Sequence, residues 1–349
     1  MAKNRSIRVL ITGVGGGGHG MEIMKALRLS EIPYHIIGTD MSRQSFGLFK
    51  ADKSYVVPPA FQDEYIPTIL DICEKEDIQV IFHGSEPELR LLSENREIFE
   101  KRGIFLPFNS REVINTCLDK KKTFDFLENK GIPIPNTVAV DSEEDLDIID
   151  FFPVVIKPYM GGGGSNNTFI AQDKEELVLF CKYILKYGRK PLVQQYMGSH
   201  DNEYTVGVLS DRDGGLISAI AIKRYILSGL SNRLKVPFIN NKNEVLAISS
   251  GISQGEVAKE AELLDQCERI ALAFESKGPL NIQCRFVDNT VYPFEINPRL
   301  SGTTYMRALA GVNEPDLLIR KYVLKEAIPE NIVPKYGLIL RGLEEMYIG

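Results

Sequence analysis

Gln283, Glu295, Asn297 and Arg299 fall on the polar sides of two strand-like runs in PLNIQCRFVDNTVYPFEINPR. One carboxylate, two amides and a guanidinium supply hard oxygen ligands and phosphate donors. Such a set suits Mg²⁺ shared with nucleotide phosphates, because Mg²⁺ takes few protein oxygens and completes its octahedron with phosphate and water. Residues 280–287 and 291–297 each alternate apolar with polar, the period of a strand with one buried face. Asp288-Asn289-Thr290 has turn chemistry, so the runs read as a hairpin. A three-residue turn pairs 287 with 291 and sets Gln283 opposite Glu295 and Asn281 opposite Asn297. A two-residue turn would pair Gln283 with Phe294 and mix the faces, so the pattern predicts the odd loop. The exposed face of an ordinary hairpin gives the same alternation.

A second constellation lies in FPVVIKPYMGGGGSNN. Lys157 ends an apolar run, where its ammonium is costly unless it meets an anion. Gly161, Gly162, Gly163 and Gly164 follow, with backbone N–H groups free to close over phosphates. The lysine precedes the glycines, so this is no Walker A loop. A flexible linker is the alternative, although Thr168–Ala171 resumes a strand-like run at once.

The elements that must position these groups are readable nearby. Residues 192–197 (LVQQYM) read as a strand, 198–202 as a loop and 203–209 as a second strand led by Glu203. A carboxylate there can accept hydrogen bonds from a ribose diol, or can be a solvated strand end. In CLDKKKTFDFLENKGIPIPNT, helix periodicity runs through Phe124 and Leu127 and stops at Gly131, with Pro133 and Pro135 blocking extension. Lys120, Lys121 and Lys122 head that helix, as a solvated face would.

In this order the parts resemble the ATP-grasp superfamily: DK with a helix and GIPIP, VVIKP with glycines, QQYM…DNEYTV, then Q…FEINPR. More narrowly the chain is similar to the carbamoyl-phosphate-synthase-like branch, which includes stand-alone amino-acid ligases of the pyrrolysine-pathway type. The resemblance covers roughly residues 5–349 and implies ATP and Mg²⁺ as cofactors. It implies that Lys120 and Lys157 contact the ATP phosphates, that Gly161–Gly164 cover them, and that Gln194, Gln195, Tyr196 and Met197 form the adenine hinge. Glu203 matches the ribose carboxylate. Gln283, Glu295 and Asn297 match the metal ligands, and Arg299 the arginine that steadies the transferred phosphoryl group. Two positions depart from the common pattern. Gln283 replaces a carboxylate, as it does in carbamoyl phosphate synthase, and lowers the site's negative charge by one. Gln195 stands where a glutamate is usual.

The implied reaction is ligation of a small-molecule carboxylate to an amine through an acyl phosphate, with an amino acid as substrate. Lys157 and Arg299 would neutralise developing charge. A phosphotransferase of carbamoyl-phosphate-synthase type and a nucleotide-binding protein without turnover are the alternatives.

The N-terminal third carries a rival signal. IRVLITGVGGGGHGMEIMKALR is a strand, a Gly-rich turn and a helix, and Asp40 ends the next strand where a dinucleotide fold keeps its ribose acid. By resemblance this doubly wound domain helps form the substrate site and holds no nicotinamide. Gly15 in the turn is positioned to receive a substrate carboxylate at the helix N-terminus. His19 beside it reads as structural. Glu86, in the loop HGSEPE after a parallel strand, is a candidate for a substrate ammonium, whereas Glu88 reads as a first-turn charge. Arg224 and Arg233 flank Ser228-Gly229 in what reads as a flexible cationic loop over the reacting groups, or as a plain basic surface loop.

These assignments give an α/β chain, α+β in its grasp lobes: an N-terminal doubly wound parallel-sheet domain followed by a two-lobed ATP-grasp fold. The expected divisions are 1–112, the lysine-bearing small lobe 113–190, and the metal-bearing large lobe 191–349 with a strand returning at GLILRGLEEMYI. The acidic run 141–150 reads as a solvated helix start. Net charge is −6 and no basic stripe is present, which argues against nucleic acid. No 18-residue apolar run or leader-like start occurs, so neither membrane insertion nor export is expected and the chain reads as cytoplasmic. Five cysteines without a C-x-x-C pair read as reduced core residues. A homodimer is compatible with this picture.

Overall fold

A computed structural model of the protein describes residues 6–15, 18–160 and 167–349. The loop Gly161–Gly164 lies outside the described residues. The first 110 residues alternate strand and helix: β1 (Ile7–Ile11), α1 (His19–Arg28), β2 (Tyr34–Asp40), β3 (Lys53–Val56), α2 (Tyr65–Lys75), β4 (Val80–Phe82), α3 (Glu86–Glu94) and α4 (Arg96–Glu100). The strands form a parallel sheet in the order β3-β2-β1-β4. Val9, Leu10, Ile11, Ile36 and Ile37 are fully buried, as expected for a sheet covered on both faces. Order reverses between β1 and β4, so the described residues after these strands, 13–15 with 18 and 83–86, border the crevice where such sheets take ligands.

Two places interrupt the regular alternation. The apolar run IFLPF contributes only one bridge, Phe105 to Val80, because Pro107 has no N–H to continue a ladder. Helices α3 and α4 are separated at Asn95, whose side-chain amide donates to Leu91 O and competes with the backbone.

After α5 (Arg111–Cys117) and α6 (Lys120–Asn129) comes a four-stranded antiparallel sheet, order β5-β8-β6-β7, made of β5 (Thr137–Ala139), β6 (Val154–Pro158), β7 (Phe169–Ala171) and β8 (Pro191–Gln195). Helix α7 (Lys174–Lys186) covers one face through Leu177, Cys181 and Ile184. The acidic run 141–150 makes a single 3₁₀ turn at Glu144–Leu146, with Leu146 and Ile149 buried against α7. Its apolar residues anchor it where a solvated helix was expected.

The remaining body is a six-stranded antiparallel sheet, order β15-β14-β9-β10-β13-β16. It comprises β9 (Glu203–Ser210), β10 (Leu216–Arg224), β13 (Gly255–Val257), β14 (Pro279–Val287), β15 (Thr290–Asn297) and β16 (Leu338–Ile339), with β11 (Asn232–Phe238) and β12 (Asn241–Ser249) as a separate hairpin. Helix α8 (Ala261–Ala273) packs Leu263, Cys267 and Ile270 onto Val206, Ile282 and Cys284. Helices α9 (Thr304–Leu309) and α10 (Glu314–Ile319) bind the body to α1: Ser30 Oγ and Tyr34 OH both donate to Asp316 Oδ1. The C-terminal stretch pairs through only Leu338 and Ile339, so the expected returning strand is two residues long.

Gly207, inside β9, is required by its neighbour. Arg307 and Glu314 form a buried ion pair, each 1 % exposed, and any Cβ at position 207 would collide with the Arg307 guanidinium. Gly207→Ala is therefore expected to cost about 3 kcal/mol, read as a lower urea midpoint with an unchanged slope.

Candidate active site

The hairpin β14–β15 sets the first part of the site. Gln283 faces Glu295 and Asn281 faces Asn297, the partners expected from the alternation. The turn is not the expected one. Val287 pairs with Thr290, and Asp288 and Asn289 alone turn the chain, both with positive φ (48° and 59°). Such left-handed pairs match the twist of a tight hairpin. Register is recovered by a β-bulge: pairing steps from Gln283–Glu295 to Cys284–Pro293, leaving Phe294 as the extra residue. The bulge matters chemically, because the Phe294 carbonyl accepts a hydrogen bond from Lys157 Nζ at 2.7 Å.

Lys157 stands near the end of β6 in the other lobe, 7 % exposed, and also donates to Gln194 Oε1 at 2.9 Å. Burial, with the nearby Lys120, lowers its pKa to about 7 against the opposing pull of Glu295. Glu295 shows the converse. Burial alone would raise its carboxyl, but Lys120, Lys157 and Arg299 together hold it below the usual range. Lys120 is the first residue of α6, and its backbone N–H is tied to Tyr159 O (3.0 Å) while Asp119 caps the helix. Two lysines, an arginine and a carboxylate from distant parts of the chain thus converge.

The two lysines and the carboxylate line a cleft of about 740 Å³ that opens to solvent, bordered also by Gln194, Gln195, Tyr196, Met197, Glu203 and Arg285. Gln194 is held at both ends, accepting from Lys157 and donating to Thr137 Oγ1 (3.1 Å). Gln195 Oε1 accepts from Asn136 Nδ2 (2.9 Å). The N–H groups of Gln195 and Tyr196 donate to Asn136 O and Pro153 O. Glu203 is no solvated strand end. It is 2 % exposed, with Oε1 accepting from Arg224 Nη1 (2.8 Å) and Oε2 paired to Arg285 Nη2 (2.9 Å). Arg285 also lies over the Tyr196 ring, 4.8 Å from its centroid.

A second cavity, of about 560 Å³, shares Gln283 and Glu295 with the first and is bordered by Glu86, Arg224 and Arg299. Arg299 Nη2 lies 3.2 Å from Glu86 Oε1 and donates to Asn297 Oδ1 at 3.1 Å. Arg224, expected in a flexible cationic loop or a plain surface loop, is instead the last residue of β10 and 2 % exposed. Besides Glu203, it donates to Ser249 Oγ, Gln283 Oε1 and Ser250 O. The strand pattern of IAIKR continues one residue further than the loop reading allowed. Arg233 is exposed on β11 and is not among the described side chains that line either cavity.

Across Arg299 lies the N-terminal crevice. His19 Nε2 sits 3.3 Å from His83 Nδ1, both rings buried. Burial first and the Arg299 charge second hold both below the usual histidine range, His83 at about 3. Gly15 is adjacent to Asp40, whose Oδ1 accepts from the Ser42 N–H and so serves its own turn. Glu88 is buried, bonded to Tyr65 OH and Ser85 Oγ at the start of α3. Arg285 and Arg341 escaped the sequence reading. Arg341, in the C-terminal stretch, donates to Gly302 O (2.8 Å) beside the second cavity and pairs with Glu22 of α1 (2.6 Å). Nothing in its local sequence marks that long-range contact.

The residues fit a divalent cation in part. Glu295 offers carboxylate oxygen, and Asn297 Oδ1 keeps a lone pair beyond its bond to Arg299. Gln283 is oriented otherwise: its oxygen accepts from Arg224 and its Nε2 donates to Glu295 Oε2 at 3.2 Å. Among the described residues no three His, Cys, Asp or Glu side chains gather. A cation here would therefore need phosphate oxygens to complete its shell.

Residues 9–106 match a family model described as "PylC-like, N-terminal domain", and 189–346 one described as "ATP-grasp in the biosynthetic pathway with Ter operon". The carbamoyl phosphate synthase large chain of Pyrococcus furiosus is 26 % identical over 82 % of this chain. The alignment takes in 26 % of that protein, so the chain spans about a quarter of its relative's length. Two solved structures superpose with TM-score 0.66. Biotin carboxylase from Campylobacter jejuni is 19 % identical, covering 93 % of this chain and 72 % of that one. The L-amino acid ligase from Bacillus licheniformis is 17 % identical, covering 95 % and 78 %. No helix of the described residues is long and apolar enough to cross a membrane.

Proposed function

This chain belongs to the ATP-grasp superfamily, with a PylC-like domain ahead of its ATP-grasp domain, and from that premise we propose that it is an ATP-dependent carboxylate–amine ligase acting on an amino acid. The observation that carries the reading is the meeting of Lys157, Lys120, Arg299 and Glu295 where two cavities join. One cavity is bordered by Lys120, Lys157 and the strand end Gln194–Met197, a set suited to a nucleotide. The other holds the Arg299–Glu86 pair, which matches the carboxylate and ammonium of an α-amino acid.

In this reading a substrate carboxylate oxygen attacks the γ-phosphorus of ATP and ADP leaves. The amine nitrogen then attacks the acyl carbon, phosphate leaves, and the nitrogen loses its proton to give the amide. Lys157 and Arg299 oppose charge developing on the transferred phosphoryl group, and the lobes exclude water from the acyl phosphate. Glu295 and Asn297 would hold Mg²⁺, which supplies charge neutralisation among the phosphates. Gly161–Gly164 belong to the proposal as the cover over those phosphates, and Gln194–Met197 as the adenine hinge. Free small molecules in the cytoplasm are the partners. Five buried free cysteines fit that setting, and a homodimer is compatible with it.

The test is magnesium-dependent ADP release, screened over amino acids singly and in pairs. The expected result is ADP that appears only with a particular acid and amine together. ADP with one acid and no amine would instead identify an enzyme that releases the acyl phosphate.

A further inference from the structure

We propose that the amino acid entering the second cavity is small, uncharged overall and hydrophilic, with a hydroxyl or amide side chain, an assignment that rests on the ligase reading above. No aliphatic or aromatic side chain contributes to the wall among the described residues. Besides its charged groups, the wall is built from hydroxyl, amide and glycine residues such as Thr205, Ser253, Asn281, Ser301 and Thr303. An apolar side chain pressed against these groups would strip their water and return no hydrogen bond, which costs about 1–3 kcal/mol per group left unpaired. Sites built this way reject analogues that lack the matching polar group far more strongly than apolar pockets reject an extra methylene.

The wall is also oriented. Thr205 Oγ1 (2.9 Å) and Arg307 Nη2 (2.5 Å) both donate to Asn281 Oδ1, so the amide is fixed with its Nδ2 left to serve an acceptor. Ser301 Oγ and Thr303 Oγ1 are 2.8 Å apart and hold one another in register.

Charge bookkeeping excludes the remaining classes. Arg224 is engaged by Glu203, and Arg341 beside the cavity by Glu22, so neither is available to a side-chain carboxylate. Glu203 is shared between two arginines, so it offers nothing to a side-chain ammonium. Glu295 is already answered by Lys120, Lys157 and Arg299, so among the described residues of the wall the pair open to exchange is Arg299–Glu86, at 3.2 Å with Glu86 32 % exposed. An incoming zwitterion replaces it group for group, carboxylate to arginine and ammonium to glutamate, and leaves the net charge unchanged. A second charge on the substrate would find no counterpart.

The test is kcat/KM for ADP release over the twenty amino acids with the full-length protein, each alone and with every amine partner. Serine, threonine or asparagine is expected to exceed valine, leucine and phenylalanine by at least about tenfold, with aspartate and lysine no better than the apolar set. Ser253→Ala should shrink the ratio of kcat/KM for serine over alanine, a change of ratio that general loss of folding would not produce. A best substrate that is apolar or carries a charged side chain overturns the proposal and leaves the ligase standing. ADP release by no amino acid overturns both.

Discussion

Glu295→Gln is expected to lower ADP release by about a thousandfold while leaving the fold intact, as judged by an unshifted thermal midpoint. The substitution keeps the shape and the Gln283 contact but removes the anion that Lys120, Lys157 and Arg299 share. Three cations without that anion would ordinarily destabilise the site. Here Lys157 can respond, because its pKa already stands near 7 and Glu295 is what pulls it upward. Without that pull the lysine sheds its proton, and the cost of uncompensated charge is limited. The loss should appear in turnover and in magnesium dependence, with nucleotide affinity much less affected. Unchanged turnover in this variant would remove Glu295 from the chemistry and the ligase reading with it.

Lys157→Met is the second large effect, with an expected loss of about a hundredfold to a thousandfold in turnover. It also has a signature independent of rate. A lysine that titrates near 7 in the free protein must be charged when phosphate sits against it. Nucleotide binding should therefore take up about 0.9 proton at pH 8 and almost none at pH 6, and affinity should weaken as pH rises above 7. For stability the sign is opposite. A lysine held below its usual 10.5 costs the free fold most when charged, below pH 7, and that cost is relieved as pH climbs from 7 toward 10.5. Calorimetry in buffers of different ionisation enthalpy reads the uptake directly. The methionine variant should show none, and uptake that persists in it would assign the proton to another group.

The parts of the site that the sequence reveals are those governed by short periods. Alternation in 280–287 and 291–297 is a local property, so the facing of Gln283 and Glu295 is legible. The route to that register is not. Phe294 alternates as well as its neighbours do, and only the partner strand decides that it bulges and turns its carbonyl toward Lys157. The doubly wound domain follows from strands and helices spaced along the chain, whereas the break at Asn95 depends on one side chain choosing Leu91 O. Arg224 is the clearest miss. RYILSGLSNR looks like a basic loop in isolation, and the carboxylate that buries the arginine lies beside it on the antiparallel partner strand but 21 residues away in sequence. Arg341 and Glu22 are separated by almost the whole chain, so no window of sequence contains both.

Glu203 belongs to two neighbourhoods at once. Its oxygens are divided between Arg285, which borders the cavity of Lys157, and Arg224, which borders the polar one. Whatever hydroxyl competes for that carboxylate in the first cavity alters the field felt in the second, and the effect is reciprocal by thermodynamic necessity. The two cavities cannot fill as independent events: the first occupant sets the electrostatic terms on which the second is admitted.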